Sequence, residues 1–267
     1  MSTQAQGGVP MSSGIEGQRV VITAGASGIG RAIADTLIGY GARVHICDVS
    51  DDFLADFSKA HPDAGATRAD VSDEADVDRL FAEASASLGG LDALVNNAGI
   101  AGPTGGIDEI DPADWRRCID VCLTGQFLAA RRAVPMIKAA GGRGHVDERT
   151  AAGRFGYAYR TPYSSAKFAI IGLTNSLAKE LGPHNIRVNA ILPGIVEGPR
   201  MEGVIRARAE QVGVPYEEME KTYLDRISMR RMVTNQDVAN TVAFLFSTPG
   251  ESISGQSIGV DRNVETL

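Results

Sequence analysis

Residues 19–30 read RVVITAGASGIG, in which a short apolar run leads directly into a glycine-rich turn. A stretch with helical character follows from Gly30 to Tyr40. Small residues at such a turn let the backbone approach a pyrophosphate, and the N-terminus of the following helix offers free N–H groups. The stretch therefore predicts a dinucleotide-binding strand–turn–helix unit, although a glycine-rich turn also occurs for tight packing alone.

The rest of the chain repeats this alternation of apolar runs and helical segments. Further apolar runs are ARVHICD, GATRADV, LDALVNNAG and IRVNAILPG, and amphipathic segments span residues 114–139 and 162–181. Apolar runs separated by helices indicate a parallel sheet that is covered on both faces. We therefore predict the α/β class, with a doubly wound parallel sheet in one Rossmann-type domain over residues 18–267. Residues 1–17 are polar and rich in Gly and Ser, which predicts a disordered tail.

Composition excludes several classes of protein. The 267 residues are 43% hydrophobic and 22% charged, and no apolar run approaches the roughly 18 residues that a membrane span needs. The net charge of −7 argues against a nucleic-acid partner, because phosphate binding requires a basic patch. Three cysteines, Cys47, Cys118 and Cys122, form no CxxC pair, so neither a disulfide framework nor a metal site is expected. These features predict a cytoplasmic protein.

Asp48 ends the second apolar run, eighteen residues after Gly30. A carboxylate at this position would accept hydrogen bonds from the adenosine ribose hydroxyls and repel a 2′-phosphate. Asp48 therefore predicts NAD rather than NADP as the cofactor. Asp is also a common cap of a following helix or turn, and that alternative stays open.

Four motifs in order give the chain its family resemblance. A TGxxxGxG-like pattern spans Thr23–Gly30, NNAG spans Asn96–Gly99, YxxxK spans Tyr163–Lys167, and PG is Pro193-Gly194. With these motifs the chain resembles the short-chain dehydrogenase/reductase family over everything after the tail.

The resemblance implies a set of cofactor-binding residues. They are Gly25, Ser27, Gly28, Ile29, Gly30, Asp48, Asp70, Val71, Asn97, Ala98, Gly99, Tyr163, Lys167, Pro193, Gly194, Ile195 and Val196. Asp70 and Val71 would flank the adenine, Asn96 would line the cofactor groove, and Ile195 would lie near the nicotinamide. Ala24 departs from the family's first glycine, and a positive φ there would cost about 1 kcal/mol.

Tyr163 and Lys167 are four residues apart, so one helical turn places both on the same face. A nearby ammonium group favours the phenolate and so lowers the pKa of a tyrosine. Tyr163 is therefore the predicted acid/base that exchanges a proton with an alcohol or a ketone while hydride moves to or from nicotinamide.

Two further catalytic positions differ from the family. Its serine, thirteen residues before the tyrosine, corresponds to Thr150, and its asparagine corresponds to Cys122. Threonine keeps a hydroxyl group, and Cys122 keeps the main-chain carbonyl that helps to hold a water near the lysine. Both changes predict retained activity at a lower rate.

The residues before Thr150 are unusual for a central strand. Residues 145–149 read HVDER, where the fold needs an apolar fifth strand, and burying unpaired charges costs several kcal/mol each. We therefore predict that this strand is short, displaced or poorly ordered. A local rearrangement, a compensated reading-frame slip or other sequence artefact, and a degenerate paralogue that binds cofactor without turnover all remain open explanations.

Substrate recognition is expected in two loops. Arg154, Tyr157, Tyr159 and Arg160 could bind a polar or anionic substrate, and residues 196–232 form a predicted lid with several arginines. We predict an NAD-dependent oxidoreductase that interconverts a secondary alcohol and a ketone on a small sugar, polyol or hydroxy acid. A 3-oxoacyl-type reductase and a catalytically weak nucleotide-binding subunit are the alternatives. The resemblance implies that the helical segments 114–139 and 162–181 pair subunits, and the apolar stretch TVAFLFS offers further packing surface. We therefore expect a homotetramer or, second, a homodimer.

Overall fold

A seven-stranded parallel sheet forms the centre of the protein, which we describe from a computed structural model. The structure describes residues 10, 12–141, 145–149 and 156–264, without the side chains of residues 145–149 and Gln211. Its strands are β1 (Arg19–Thr23), β2 (Arg43–Asp48), β3 (Gly65–Arg68), β4 (Ala93–Asn96), β5 (His145–Arg149), β6 (Arg187–Pro193) and β7 (Ser257–Val260). Their order is β3-β2-β1-β4-β5-β6-β7. The order reverses between β1 and β4, where a doubly wound sheet opens its ligand crevice.

Helices cover both faces of this sheet. They are α1 (Gly28–Gly39), α2 (Asp51–Ala60), α3 (Glu74–Leu88), α4 (Pro112–Ile119), α5 (Gly125–Ala139), α6 (Thr161–Leu181), α7 (Pro199–Val212), α8 (Tyr216–Leu224) and α9 (Asn235–Phe246). A π-helical segment, Asp120–Thr124, joins α4 to α5, and short 3₁₀ turns follow α6 and α9. The predicted doubly wound α/β fold is therefore confirmed.

Two buried clusters hold the helices to the sheet. One joins β1 and β2 to α1 and α9 through residues such as Ile22, Leu37 and Phe246. The other joins the opposite face to α3 and α5 through residues such as Leu94 and Ile137. Fully burying one such side chain contributes about 1.5–3 kcal/mol, so the two clusters are the main stabilising feature of the domain.

The segments predicted as helices are found, with one difference. The predicted 114–139 segment is interrupted by the π-helical segment Asp120–Thr124, while the predicted 162–181 segment matches α6 closely. A π-helical turn inserts an extra residue into an α-helix and is frequent at functional sites. Cys122, one of the predicted catalytic positions, lies inside this turn.

Residues 12–17 belong to the packed structure. Ile15 is completely buried, and the Ser13 carbonyl accepts a hydrogen bond from the Thr248 N–H at 2.8 Å. The predicted disordered tail therefore does not extend to residue 17. The segment is polar and rich in glycine, so its composition does not indicate that one apolar side chain, that of Ile15, packs into the core.

The stretch TVAFLFS was predicted to offer surface for subunit packing, and the structure corrects this. Val242, Ala243, Leu245 and Phe246 lie on α9 and are at most 2% exposed, packed against the sheet and α1. The apolar side chains of this stretch therefore contribute to the core of a single chain.

The prediction that the charged run displaces β5 is wrong for the backbone. β5 pairs in parallel with β4 over His145–Glu148 and with β6 over His145–Arg149. Ladder hydrogen bonds join main-chain groups and so do not depend directly on side-chain type. How the side chains of Asp147, Glu148 and Arg149 are satisfied lies outside the described residues.

Candidate active site

The glycine-rich turn lies between the end of β1 and the start of α1, at the crevice of the sheet. A Cβ atom on Gly30 would lie 2.1 Å from the carbonyl oxygen of Ala24, so only glycine fits there. Ser27 begins α1 without a side-chain cap, which leaves the first helical N–H groups available to an anion. The turn therefore fits the pyrophosphate of a dinucleotide.

Ala24 adopts a left-handed conformation with φ of +49°. The departure from the family's glycine therefore carries the conformational cost of about 1 kcal/mol that a positive φ imposes on alanine. Asn97 supports the strained turn, because its side-chain amide donates to the carbonyls of Thr23 at 3.0 Å and Ala24 at 2.9 Å. These hydrogen bonds connect the end of β4 to the glycine-rich turn.

Asp48 at the end of β2 is 8% exposed and accepts three main-chain hydrogen bonds. One oxygen accepts from the N–H groups of Val49 at 2.8 Å and Ser50 at 3.2 Å, and the other accepts from Ala26 at 3.3 Å. Asp48 therefore does cap the turn that follows β2, as the alternative interpretation predicts. The bond to Ala26 also ties the carboxylate to the glycine-rich turn, beside the predicted cofactor path.

Tyr163 and Lys167 lie on the same face of α6, as predicted. The Lys167 Nζ atom is 5.6 Å from the centre of the Tyr163 ring, and the two residues are 3% and 9% exposed, respectively. The Lys167 ammonium also lies beside Gly99, where an added Cβ would be 3.4 Å from Nζ. The tyrosine, the lysine and the NNAG segment therefore meet at one place.

Cys122 lies next to this group. Its thiol accepts from the Ile100 N–H at 3.4 Å and donates to the Ile100 carbonyl at 3.5 Å. A hydrogen bond with Cys122, together with burial, raises the pKa of the neighbouring Cys118 thiol. Both cysteines are completely buried in a small cluster with Tyr163 and Ala166. The thiol of Cys122 therefore packs and fixes the loop after β4.

A cavity of about 440 Å³ opens above this group. The predicted cofactor-binding residues that line it are Ser27, Gly28, Ile29, Asn97, Gly99, Tyr163, Pro193, Gly194, Ile195 and Val196. The glycine-rich turn, the NNAG segment, the tyrosine and the PG motif are thus brought to one space, although they are far apart in the sequence.

Other predicted cofactor residues are not part of the cavity lining. Those outside its lining are Gly25, Gly30, Asp48, Asp70, Val71, Ala98 and Lys167. Asn96 is 1% exposed and donates to the Gln126 carbonyl at 3.1 Å, so the expectation that it lines the groove is wrong and Asn97 takes that place.

Asp70 is held in a polar cluster at the end of β3. Burial opposes its ionisation, but hydrogen bonds from Arg117 at 2.7 Å and from Ser72 outweigh burial and lower the pKa of Asp70. Val71 packs against Gly125, where a Cβ would lie 2.7 Å from its side chain. Val71 is buried and Asp70 is partly exposed, and the role of both toward adenine stays a prediction.

Sequence reasoning did not single out several residues of the cavity wall. Tyr223 and Arg226 come from α8 and the turn after it, Met201 and Val204 from α7, and Asn235 from the start of α9. Their only signal was membership of, or closeness to, the predicted lid at residues 196–232. Tyr157 and Arg160 of the predicted substrate loop do line the cavity, whereas Thr150 and Arg154 lie outside the described residues.

Two features are absent from the described residues. In this part of the chain, no group of three or more His, Cys, Asp or Glu side chains is placed to hold a metal ion. None of the helices in the described ranges is long and apolar enough to cross a membrane.

Comparison with known proteins gives the family. A family model described as Enoyl-(Acyl carrier protein) reductase matches residues 23–262. Cis-4-hydroxycyclohexanecarboxylate dehydrogenase of Sinomonas cyclohexanicum is 36% identical over 245 residues, which cover 90% of this chain and 94% of the relative. Sorbitol dehydrogenase of Cereibacter sphaeroides is 34% identical over 250 residues, which cover 92% of this chain and 97% of the relative.

Among solved structures, NAD⁺-bound xylitol dehydrogenase superposes with a TM-score of 0.87 at 25% identity, covering 93% of this chain and 99% of that chain. The chain therefore belongs to the short-chain dehydrogenase/reductase family and is an oxidoreductase that acts on CH–OH groups with a nicotinamide cofactor.

Proposed function

We propose that the protein is an NAD-preferring dehydrogenase that interconverts a secondary alcohol and a ketone on a small polar substrate. One observation carries this proposal: Tyr163, with Lys167 one helical turn away, lines the same cavity as the glycine-rich turn and the PG motif. Alcohol oxidation requires an acid/base group and a cofactor cradle in one shared cavity.

The nicotinamide ring, when bound, accepts or donates the hydride. In the oxidation, the Tyr163 oxygen takes the proton of the substrate hydroxyl as the carbon loses its hydride, and the carbonyl forms. In the reduction, the same oxygen returns the proton. The buried Lys167 ammonium stabilises the phenolate form of Tyr163 by its charge. Thr150 would hydrogen-bond the substrate oxygen, and the main chain at Cys122 would support the water next to Lys167.

The preference for NAD rests on Asp48. Its carboxylate is fixed by three main-chain N–H groups at the end of β2, next to the glycine-rich turn. A fixed negative charge there disfavours the 2′-phosphate of NADP. The presence of NAD⁺ in the xylitol dehydrogenase structure is consistent with this assignment.

The substrate class is supported by the lining of the cavity. Its wall combines the apolar Ile195 and Met201 with the polar Tyr157, Tyr223 and Arg226, which suits a small polar molecule. The relatives are named for a hydroxy acid and a polyol, which agrees with a polar alcohol substrate. Helices α7 and α8 supply one wall of the cavity, and we propose that residues 196–232 act as its lid.

We further propose that the protein assembles as a homotetramer, with a dimer as the second possibility. Phe127 on α5 and Phe168 on α6 are 49% and 47% exposed, and such aromatic groups on neighbouring helices favour subunit packing. The three cysteines are buried and form no disulfide, in keeping with a reducing cytoplasm as the proposed location.

A substrate panel tests the catalytic proposal. The purified protein is mixed with NAD and with polyols, hydroxy acids and cyclic alcohols in turn, and NADH formation is followed by absorbance. We expect turnover with at least one small polar secondary alcohol. Tight NAD binding in a parallel titration, with no turnover of any alcohol or of the corresponding ketones with NADH, would instead favour a nucleotide-binding subunit.

A further inference from the structure

We propose that the substrate carries a carboxylate and that Arg160 and Arg226 bind it. This inference rests on the proposed dehydrogenase function and narrows its substrate to hydroxy acids. It depends on the surroundings of the two guanidinium groups in the cavity.

Arg160 immediately precedes α6 and lies three residues before Tyr163. Its guanidinium carbon is 5.1 Å from the centre of the Tyr163 ring and 5.2 Å from the centre of the Tyr157 ring. One terminal nitrogen donates to the Ala101 carbonyl at 2.5 Å. The two rings and this carbonyl hold the guanidinium in one orientation beside the acid/base group, so little freedom remains to be lost when a ligand binds.

The charge of Arg160 is not neutralised in the described part of the chain. A guanidinium has five N–H donors, and the Ala101 carbonyl is the acceptor that the structure gives this one. The Nε atom is buried without a hydrogen-bond partner. A partly buried cation with unused donors favours the binding of an anion, and a carboxylate matches the planar fork of arginine.

Arg226 supplies a second positive charge to the same cavity. Its guanidinium carbon lies 5.2 Å from the centre of the Tyr223 ring. Burial, followed by the nearby Tyr157, raises the pKa of Tyr223, although Arg226 opposes this effect. Tyr157 and Tyr223 lie close together, each beside one of the two arginines.

The charge balance of the cavity differs from that of the chain. Three arginines, Arg160, Arg200 and Arg226, line it, with Glu197 as its single carboxylate among the described lining residues. The whole chain has 33 acidic and 26 basic residues. Many arginines elsewhere are paired with carboxylates, for example Arg19 with Asp92 and Arg262 with Asp237. A cationic cavity in an acidic protein indicates anionic ligands, of which the dinucleotide phosphates at the glycine-rich turn would be one.

The position of Arg160 limits what that ligand is. Its guanidinium is next to the ring whose oxygen exchanges the substrate proton, so the carboxylate belongs to the same small molecule as the reacting alcohol. A neutral polyol would leave both arginines without an anion. The geometry therefore favours a hydroxycarboxylate over a sugar or polyol.

The test measures binding separately from turnover. Calorimetry gives the dissociation constants of cyclohexanecarboxylate and of its neutral amide, cyclohexanecarboxamide, for the enzyme saturated with NADH. These probes lack the reacting hydroxyl, and the reduced nicotinamide ring is uncharged, so a preference for the carboxylate reports on the protein. We expect the carboxylate to bind at least about 10-fold tighter, and Arg160→Gln and Arg226→Gln each to reduce that ratio about 10-fold.

Arg206→Gln is the matched control, because Arg206 also packs on a tyrosine, Tyr216 at 5.3 Å, but lies outside the cavity lining. Its ratio should equal that of the wild type. Arg160→Lys keeps the positive charge but loses the planar guanidinium group, so its affinity ratio should lie between those of the wild type and Arg160→Gln. If the glutamine variant does not fold, the lysine variant provides the test.

Two results would overturn the inference: equal affinity of the wild type for the two probes, or a ratio that both arginine variants leave unchanged. These results are distinct from a failure of the proposed function. Carboxylate binding without turnover of any alcohol contradicts the dehydrogenase proposal alone, whereas rapid turnover of neutral alcohols with no carboxylate preference contradicts the inference alone.

Discussion

The Nζ atom of Lys167 lies 5.6 Å from the centre of the Tyr163 ring, one turn further along α6. Because both side chains are almost fully buried, the attraction between the ammonium and a phenolate is weakly screened by water. This relationship makes Tyr163 the group whose loss should affect the reaction most directly.

Tyr163→Phe should lower kcat by at least about 100-fold and leave the dissociation constant of NAD nearly unchanged, since it removes only the ionisable oxygen. NADH absorbance gives the rate, and fluorescence titration gives the affinity. Tyr216→Phe, the same change on α8 outside the cavity, is the control. Turnover retained in the Tyr163 variant would exclude this residue as the acid/base.

Asp48 should make NAD bind at least about 10-fold tighter than NADP, because the carboxylate would meet the added phosphate. Asp48→Asn should reduce this ratio about 10-fold and also lower the melting temperature, since the amide accepts the three main-chain bonds less well. Asp52→Asn on the exposed side of α2 is the matched control. Tighter binding of NADP by the wild type would remove Asp48 from its assigned role.

Much of this site could be predicted because its motifs follow from local chemistry. The YxxxK spacing fixes Tyr163 and Lys167 on one helical face, and the glycine-rich turn needs a glycine at position 30 that the chain has. The wall that holds Tyr223 and Arg226 could not be predicted in the same way. Their place in the cavity depends on how α7 and α8 return to the sheet, which is a long-range packing result with no local signal.

The same limit explains the errors in the fold. Ile15 is one apolar residue in a polar segment, and its burial depends on α9, more than two hundred residues away. The prediction for β5 depends on its charged side chains, whereas the backbone of β5 is held by pairing with β4 and β6 on either side. Sheet pairing on both edges can outweigh the low strand propensity of charged residues, because that propensity depends on context.

Ala24→Gly should increase the free energy of unfolding by about 1 kcal/mol, because glycine adopts the φ of +49° found there without steric cost. Chemical denaturation measures the change. Ala75→Gly in α3, at an exposed helical position, should instead decrease the free energy of unfolding. A destabilised Ala24→Gly variant would show that the turn gains more from the methyl group than it loses in backbone strain.

His45 should make stability fall as the pH decreases from about 6.5 to about 4. Burial lowers the pKa of His45 to about 4, whereas the unfolded value is 6.5, so below 6.5 the unfolded state binds the proton first. Above pH 6.5 the neutral His45 makes its full contribution to the free energy of unfolding. Between pH 6.5 and pH 4 this free energy falls by about 3 kcal/mol in total. The ring is 3% exposed, with its nitrogens 2.8 Å from the Ser87 and Thr67 hydroxyls.

Urea denaturation at a series of pH values measures this dependence. His45→Gln, which cannot be protonated, should flatten the curve between pH 6.5 and 4 while lowering stability at pH 7. His184→Gln changes an exposed histidine and should leave the slope as in the wild type. An unchanged slope in the His45 variant would assign the acid sensitivity to other groups.

The charged run in β5 leads to the last prediction. Its partners across the sheet are buried: Val95 and Ile191 are each 2% exposed, and Asn189 and Ala190 are completely buried. A strand with such neighbours on both edges is a costly place for charge, because each unpaired buried ion loses several kcal/mol of hydration. Replacing Asp147 and Glu148 together by valine should therefore raise the melting temperature by several degrees.

Scanning calorimetry compares this double variant with the wild type, and a variant with valine at the exposed positions Asp51 and Asp52 controls for the general loss of two negative charges. Thr150→Ser, made in addition, should raise kcat, because in the role proposed for Thr150 its β-methyl group would stiffen the side chain that bonds the substrate oxygen. A lower melting temperature in the β5 variant would show that the two carboxylates are well paired in the folded protein. The charged strand would then be a stabilising feature, and the case for a weakened enzyme would rest on Cys122 and Thr150 alone.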